Sequence, residues 1–332
     1  DEKDIITDRI LTLFTASINM ASTILIVLSY NIYWGGHRQP LENTIEVIRK
    51  SGADLVGIQE NVNREYEDQT TEIAKALGFS YVHHAILDSM EKNGGGGNKL
   101  RARWIQQAGQ STLSRHPITA QSPGGSGIQV ELPSGHLVWM FNTHLWHYPY
   151  VPYQFLNIGY HGEEAVDPNA PDAELQAILS ARIGHETEIT KVLWDIKSVL
   201  PKGEPVFLTG DFNEPSHLDW TEESARAGIH PLKVDFPTSR QVTEAGLKDA
   251  FREYYPDPVT VPGFTWPAGT YPETPDSSIA DPEDRIDFVY FSGTNVKLKN
   301  VQRLGEAAET SDIALPDYPS DHRAVLATFE LT

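Results

Sequence analysis

The chain contains no cysteine, which excludes disulfides, thiolate nucleophiles and zinc-thiolate centres together. No stretch approaches the ~20 consecutive apolar residues that a membrane-spanning helix requires. Residues 11–28 are fairly apolar, but Asn19 and several Ser and Thr interrupt them, no basic start precedes them, and they run into a strand. They are therefore not read as an intact signal peptide. Positive charge is also scarce, with 26 Lys and Arg against 46 Asp and Glu and a formal net charge of -20. Such a balance disfavours tight, non-specific binding to a polyanion, since neutralising phosphates takes clustered Lys and Arg. It leaves nuclease chemistry open, because a bound divalent cation inverts the local field. Cysteine absence suits an exported chain that must avoid mispairing, so a secreted or periplasmic location is favoured over a cytoplasmic one. Neither a fixed-period repeat nor a flexible linker divides the sequence, which predicts one domain over residues 24–332 behind an arm or edge strand at 1–23, and a monomer.

What is present is organised around Val206-Phe207-Leu208-Thr209-Gly210-Asp211-Phe212-Asn213-Glu214-Pro215. Three apolar residues ahead of Gly210 read as a buried strand that turns tightly at its end. Asp211 and Asn213 are two apart, so an extended backbone puts both on one side. A carboxylate that only accepts, beside an amide that donates, suits a water and a phosphoryl oxygen held together. An Asx turn closing a strand explains the same residues without any chemistry.

Residues 24–31 read as a buried strand, and Leu41, Ile45 and Ile48 as the apolar face of a helix that Gly52 stops. Strands are predicted at 54–58, 81–87 and 111–114, and a helix at 65–77. Residues 128–132 and 136–142 form a hairpin whose second arm delivers Thr143-His144. Residues 148–171 make a long aromatic, proline-rich loop that suggests a substrate-facing role. A helix over 172–200 carries Leu175, Leu179, Ile183, Ile189, Leu193 and Ile196 on its apolar face, and 242–255 reads as another helix. Residues 267–283 form an acidic, proline-rich loop, and strands follow at 285–291, 295–304 and 324–331. Alternating strands and helices interrupted by hairpins predict mixed sheets with helices packed outside.

Polar groups recur at the ends of six apolar strands: Asn31, Glu60, His144, Asp211 with Asn213, Asp287, and Asp321 with His322. Each has an ordinary explanation as a turn residue or a satisfied polar side chain. Asp287, inside an apolar run, needs a partner, and His322 is the candidate. The recurrence is what the ordinary explanations leave unaccounted for.

Tyr30-Asn31-Ile32, Gln59-Glu60, Thr143-His144, Gly210-Asp211-Phe212-Asn213, Arg285-Ile286-Asp287 and Ser320-Asp321-His322-Arg323 resemble, in order, the motifs of the endonuclease/exonuclease/phosphatase (DNase I-like) superfamily. Ser111 to Pro117 is similar to that family's strand before a Ser-Arg-x-Pro turn. The resemblance implies an α/β (α+β) fold, a four-layered sandwich of two mixed β-sheets flanked by helices. It implies a Mg²⁺-dependent hydrolase, with Mn²⁺ or Ca²⁺ as alternatives, in which Glu60, Asn31 and Asp321 hold the metal. By the same resemblance, Asp211 orients or deprotonates the attacking water and Asn213 holds a phosphoryl oxygen. Protonated His322, aimed by Asp287, stabilises charge on that oxygen, and His144 assists the phosphoryl group or the leaving oxygen.

For the substrate, Arg101, Arg103 and Arg115 are candidates to grip phosphate, and Trp34, Trp146, His147 and Trp266 to wall a pocket. The phosphate-gripping pattern of an inositol polyphosphate 5-phosphatase is not found. A small nucleotide, sugar or lipid-headgroup phosphoester is favoured over DNA or RNA, which would make the chain an endo- or exonuclease. A non-catalytic binding module on the same fold is the third reading, and it would be expected to have lost a motif residue.

Overall fold

The structure, a computed structural model, describes residues 22–36, 39–61, 63–64, 67–84, 109–159, 162–269 and 279–332. Strand alternation builds its layers. In β1 (Thr23–Asn31), Leu25 and Val27 enter one apolar cluster while Leu28 and Tyr30 enter another on the opposite face. β1 runs parallel to β2 (Leu55–Asn61), joined by α1 (Tyr33–Gly36) and α2 (Leu41–Ser51). A short ribbon of β3 (Asn63–Arg64) and β4 (Glu67–Asp68) precedes α3 (Gln69–Leu77). β5 (Tyr81–His84), β6 (Gly109–Ser114), β7 (Ile118–Gln121), β8 (Gly127–Glu131) and β9 (Leu137–His144) follow. Next come α4 (Val151–Phe155), α5 (Ala173–Val199), β10 (Val206–Asp211), α6 (Glu222–Arg226) and α7 (Pro237–Glu244). β11 (Lys248–Asp249), α8 (Ala250–Tyr254), β12 (Asp287–Ser292), β13 (Val296–Gly305), β14 (Ile313–Ala314) and β15 (Ala324–Leu331) complete the order.

Two mixed sheets result. One has seven strands in the order β14-β13-β15-β1-β2-β6-β5, the other six in the order β11-β12-β10-β9-β8-β7. Their facing surfaces share a core in which Leu25, Val27 and Phe329 meet Val138, Met140, Phe207 and Val289. Outside the seven-stranded sheet, Leu28, Tyr30, Val56 and Ile58 pack with Ile45, Ile48 and Ile73 of α2 and α3. Outside the six-stranded sheet, Trp139, Phe141, Leu208 and Phe288 pack with Ile189, Leu193 and Ile196 of α5. Helix, sheet, sheet and helix are the four layers expected. The sheets approach closely at Gly57, where an added Cβ would lie 2.0 Å from Thr209 Oγ1. Among the described residues, no helix is long and apolar enough to cross a membrane.

Several expectations need correction. The helix predicted from residue 65 begins at Gln69, after β4, and the loop at 148–171 contains α4. The single helix predicted over 242–255 is the end of α7, then β11, then α8, because pairing with β12 extends the chain at Lys248 and Asp249. The expected apolar face of α5 is wrong in its first half: Leu175, Leu179 and Ile183 are 56, 51 and 80 % exposed. There α5 packs through Ala173, Ala177 and Ala181, whose small side chains admit the close approach of Val151, Phe155 and Phe236. Residues 1–21 of the predicted arm, 85–87 of a predicted strand, and Arg101 and Arg103 lie outside the described residues.

Candidate active site

Inward-facing positions are apolar at one end of the sandwich and polar at the other. Along β1, Leu25 and Val27 give way to Ser29 and Asn31; along β9, Val138 and Met140 give way to Asn142 and His144. In β10, Phe207 is followed at the same spacing by Thr209 and Asp211. Strand register then sets these groups level with one another. Asp211 pairs with His144 of the parallel strand β9 on one side and with Asp287 of the antiparallel strand β12 on the other. Asn31 pairs with Gln59, one residue before Glu60. Gln59 Nε2 donates to Asn142 Oδ1 at 2.6 Å, Thr209 Oγ1 donates to the same oxygen at 3.0 Å, and Gly210 N–H donates to Ser29 Oγ at 3.1 Å. This buried polar layer ties the two sheets together directly beneath the site.

Asp211 Oδ2 is the centre. Asn31 Nδ2 donates to it at 2.8 Å, His144 Nε2 lies 3.3 Å away and His322 Nε2 3.8 Å away. Asp211 Oδ1 accepts from Asn213 N–H at 2.9 Å, the Asx geometry that the sequence allowed. Asn31 Nδ2 also lies 3.2 Å from Glu60 Oε1, and Glu60 Oε2 accepts from Trp34 N–H at 2.6 Å. Glu60 has φ 60, a region that costs a non-glycine residue energy and persists where surrounding structure imposes it. Asn213, at φ 48, is a residue type that tolerates this region. Its Nδ2 donates to Leu145 O at 2.9 Å and lies 3.2 Å from His144 Nε2.

His322 stands just before β15 and reaches across to β12. Its Nδ1 is 2.9 Å from Asp287 Oδ2, and its Nε2 is 3.9 Å from Asp321 Oδ1. Thr265 Oγ1 accepts from the N–H groups of Ile286 and Asp287 at 3.1 and 3.2 Å, fixing the start of β12. Trp266 Nε1 donates to Asp321 Oδ2 at 3.2 Å. Burial opposes charge on the His322 ring, but Asp287, Asp211 and Asp321 outweigh it and raise its pKa well above the ordinary value. His144 is raised too, burial again being overcome by Asp211 and then Glu60. Asp211 is buried as well, yet His322 and His144 pull its pKa down to about 2. The arrangement thus holds an ionised carboxylate between two rings whose protonated forms it favours.

Glu60, His144 and Asp211 each present one donor atom within 4.8 Å of the others, as do Asp211, Asp287 and His322. Carboxylate oxygens of Glu60 and Asp211, linked by the Asn31 amide, are the hard donors that suit a divalent cation.

The structure therefore brings Asn31, Glu60, His144, Asp211, Asn213, Asp287, Asp321 and His322 into one cluster. Trp34 enters it through its main chain, with its side chain 46 % exposed. Trp266 is buried behind His322, 6.4 Å between rings, and packs edge-on to Tyr150. Trp146 and His147 are half-buried neighbours in the segment after β9. Arg115 stands apart from the cluster: it caps the Phe79 ring at 4.2 Å and donates to the carbonyls of Ala53 and Leu77. Sequence reasoning missed Ser29, Gln59, Asn142, Thr209 and Thr265. A signal for the first four was present, since each continues the inward alternation of an apolar strand by one further step.

Residues 190–322 match the profile described as the Endonuclease/Exonuclease/phosphatase family. An uncharacterised protein of Caenorhabditis elegans is 28 % identical over 319 residues, covering 91 % of this chain and 90 % of that protein. Among solved structures, an endonuclease/exonuclease/phosphatase from Beutenbergia cavernae superposes with a TM-score of 0.54 at 18 % identity, over 93 % of this chain and 72 % of its own. A 3′ phosphatase from Neisseria, solved with a product DNA hairpin, does so with a TM-score of 0.52 at 15 % identity, over 91 % and 98 %.

Proposed function

We propose that this chain is a member of the endonuclease/exonuclease/phosphatase family, a reading supported by the match over residues 190–322 and by the shared fold, and that it is a divalent-metal-dependent phosphoesterase. The observation that carries the reading is the meeting of Asn31, His144 and His322 at a single oxygen of Asp211, with Glu60 joined through Asn31. Glu60 and Asp211, with Asn31 and Asp321 close by, are the residues that would hold Mg²⁺ or Mn²⁺. When bound, that cation supplies charge neutralisation at a phosphoryl oxygen.

The protein's own groups divide the remaining work. Asp211, ionised down to low pH, accepts a hydrogen bond from the attacking water and orients it in line with the leaving oxygen. His322, charged and aimed by Asp287, donates from Nε2 to the oxygen on which negative charge grows. His144, whose protonated form Asp211 and Glu60 favour, supplies a second donor on the opposite side of Asp211, suited to the phosphoryl or leaving oxygen. Asn213 keeps the segment after His144 against Asp211 and turns its amide towards the same space. The net charge of -20 favours a compact phosphoester over a long nucleic acid.

The test is a substrate screen of the purified protein with Mg²⁺ or Mn²⁺, on plasmid DNA, bis-p-nitrophenyl phosphate, a phosphomonoester and a choline phospholipid. Metal-dependent hydrolysis of one of them supports the proposal. Absence of turnover on all four, or full turnover in excess chelator, refutes it.

A further inference from the structure

The segment that leaves β9 carries His144 and, two and three residues later, Trp146 and His147. Its main chain is gripped by one stretch of α5. Trp146 N–H donates to Glu188 Oε2 at 2.8 Å, and Trp146 O lies 2.7 Å from His185 Nε2. The other ring nitrogen, His185 Nδ1, lies 2.7 Å from Glu214 Oε2. Glu214 also accepts from Thr238 N–H and Oγ1 at 2.7 and 2.8 Å, and it directly follows Asn213. His185 thus bridges the two segments that leave β9 and β10.

Gly184 completes the contact. A Cβ there would lie 2.8 Å from Pro149 Cδ and 2.8 Å from Tyr148 O. Glycine inside a helix weakens it relative to alanine, and here its absent side chain is what admits the neighbouring main chain. The second half of α5 covers its sheet with ordinary apolar residues, Ile189, Val192, Leu193 and Ile196. Covering a sheet therefore explains neither the glycine at 184 nor the buried His185 paired with Glu214.

We propose that Gly184, His185 and Glu188 are positioning residues, a seat on α5 that sets the path of the chain through Trp146 and His147 beside the active site. The proposal rests on the phosphoesterase reading. His144 is already set by the register of β9, so disturbing the seat acts on the residues beyond it and on substrate affinity before chemistry.

Glu188 is half-buried rather than in the core, and a thermal melt of each variant checks that the fold is kept. The experiment compares Glu188→Ala, Glu188→Gln and Gly184→Ala with the parent, by amide hydrogen exchange over residues 145–150 and by steady-state kinetics on bis-p-nitrophenyl phosphate with Mn²⁺. Glu188→Ala is expected to speed exchange in that peptide and to raise KM roughly fivefold, the scale of one hydrogen bond, with a smaller fall in kcat. Glu188→Gln keeps an acceptor oxygen and restores both towards the parent values, while Gly184→Ala moves both further. Faster exchange with KM unchanged would reduce the seat to a purely structural contact and overturn the proposal. Exchange unchanged in both Glu188→Ala and Gly184→Ala would show that there is no seat. A parent inert towards every phosphoester would instead defeat the activity reading, a failure read from a different measurement.

Discussion

Replacing Asp287 by Asn removes one charge from behind His322 while keeping the side chain's size and one acceptor oxygen. At an effective dielectric constant of ~20, a unit charge at the 2.9 Å of Asp287 attracts the ring by about 6 kcal/mol, against roughly 4 each for Asp211 and Asp321 at 3.8 and 3.9 Å. Asp287 is thus the largest single support of the imidazolium, but not the majority of it. A surviving neutral hydrogen bond recovers part of the loss, since charge-assisted bonds are about twice as strong as neutral ones. The variant should therefore lower the pKa of His322 by at least about one unit and cost roughly tenfold or more in rate. The assay is kcat/KM against pH on the best phosphodiester in the screen. In the parent, activity should fall on the alkaline side as His322 loses its proton; in Asp287→Asn that limb should move to lower pH. Stability follows the same sign. The raised pKa stabilises the fold fully below the unfolded value of about 6.5, and that contribution is lost as pH rises through the folded value. The variant's stability penalty is therefore largest near neutral pH and shrinks in acid, where burial makes Asp287 itself take up a proton. Overlaid pH-rate profiles would refute the role given to the pair, and a limb on the acid side would mean that His322 works as a neutral base.

Chelation should abolish activity and Mg²⁺ or Mn²⁺ restore it, while Glu60→Ala should lose several orders of magnitude in kcat/KM, measured beside a thermal melt that confirms folding. Gly57→Ala places a methyl 2.0 Å from Thr209 Oγ1 between the sheets and should destabilise the protein by about 1–3 kcal/mol or more, read as the midpoint of denaturant unfolding. Asp284 is pushed by burial to a pKa of about 7, so stability should fall as pH rises from about 4 towards 7, and Asp284→Asn should flatten that slope in pH-dependent melts. Substituting both Arg101 and Arg103 should raise KM more than it lowers kcat, and an unchanged KM on the best substrate would remove them from phosphate binding.

Local pattern alone was enough to find the strands that build this protein and the residue types at their ends. An apolar strand must alternate or be buried on both faces, and a carboxylate such as Asp287 inside one demands a partner, so Asp287 and His322 were legible as a pair before any coordinates. The long helix was legible too, but not its orientation. Leu175, Leu179 and Ile183 form a convincing apolar stripe, yet they face solvent, because the close approach of Val151 and Phe236 selects the alanine face instead. That choice depends on the volume of residues distant in sequence, which periodicity does not contain. The same holds for the site's inner architecture. Register between β9, β10 and β12 decides that His144, Asp211 and Asp287 stand level, and a slip of one residue would turn each to the opposite face. Gln59 and Asn142, ordinary polar residues when read in order, become the tie between two sheets only when the strands bearing them are brought face to face. Sequence by itself determined which chemical groups are present and that they end strands. Only the tertiary structure decided which of them meet, because that is set by register and by packing between segments far apart in the chain.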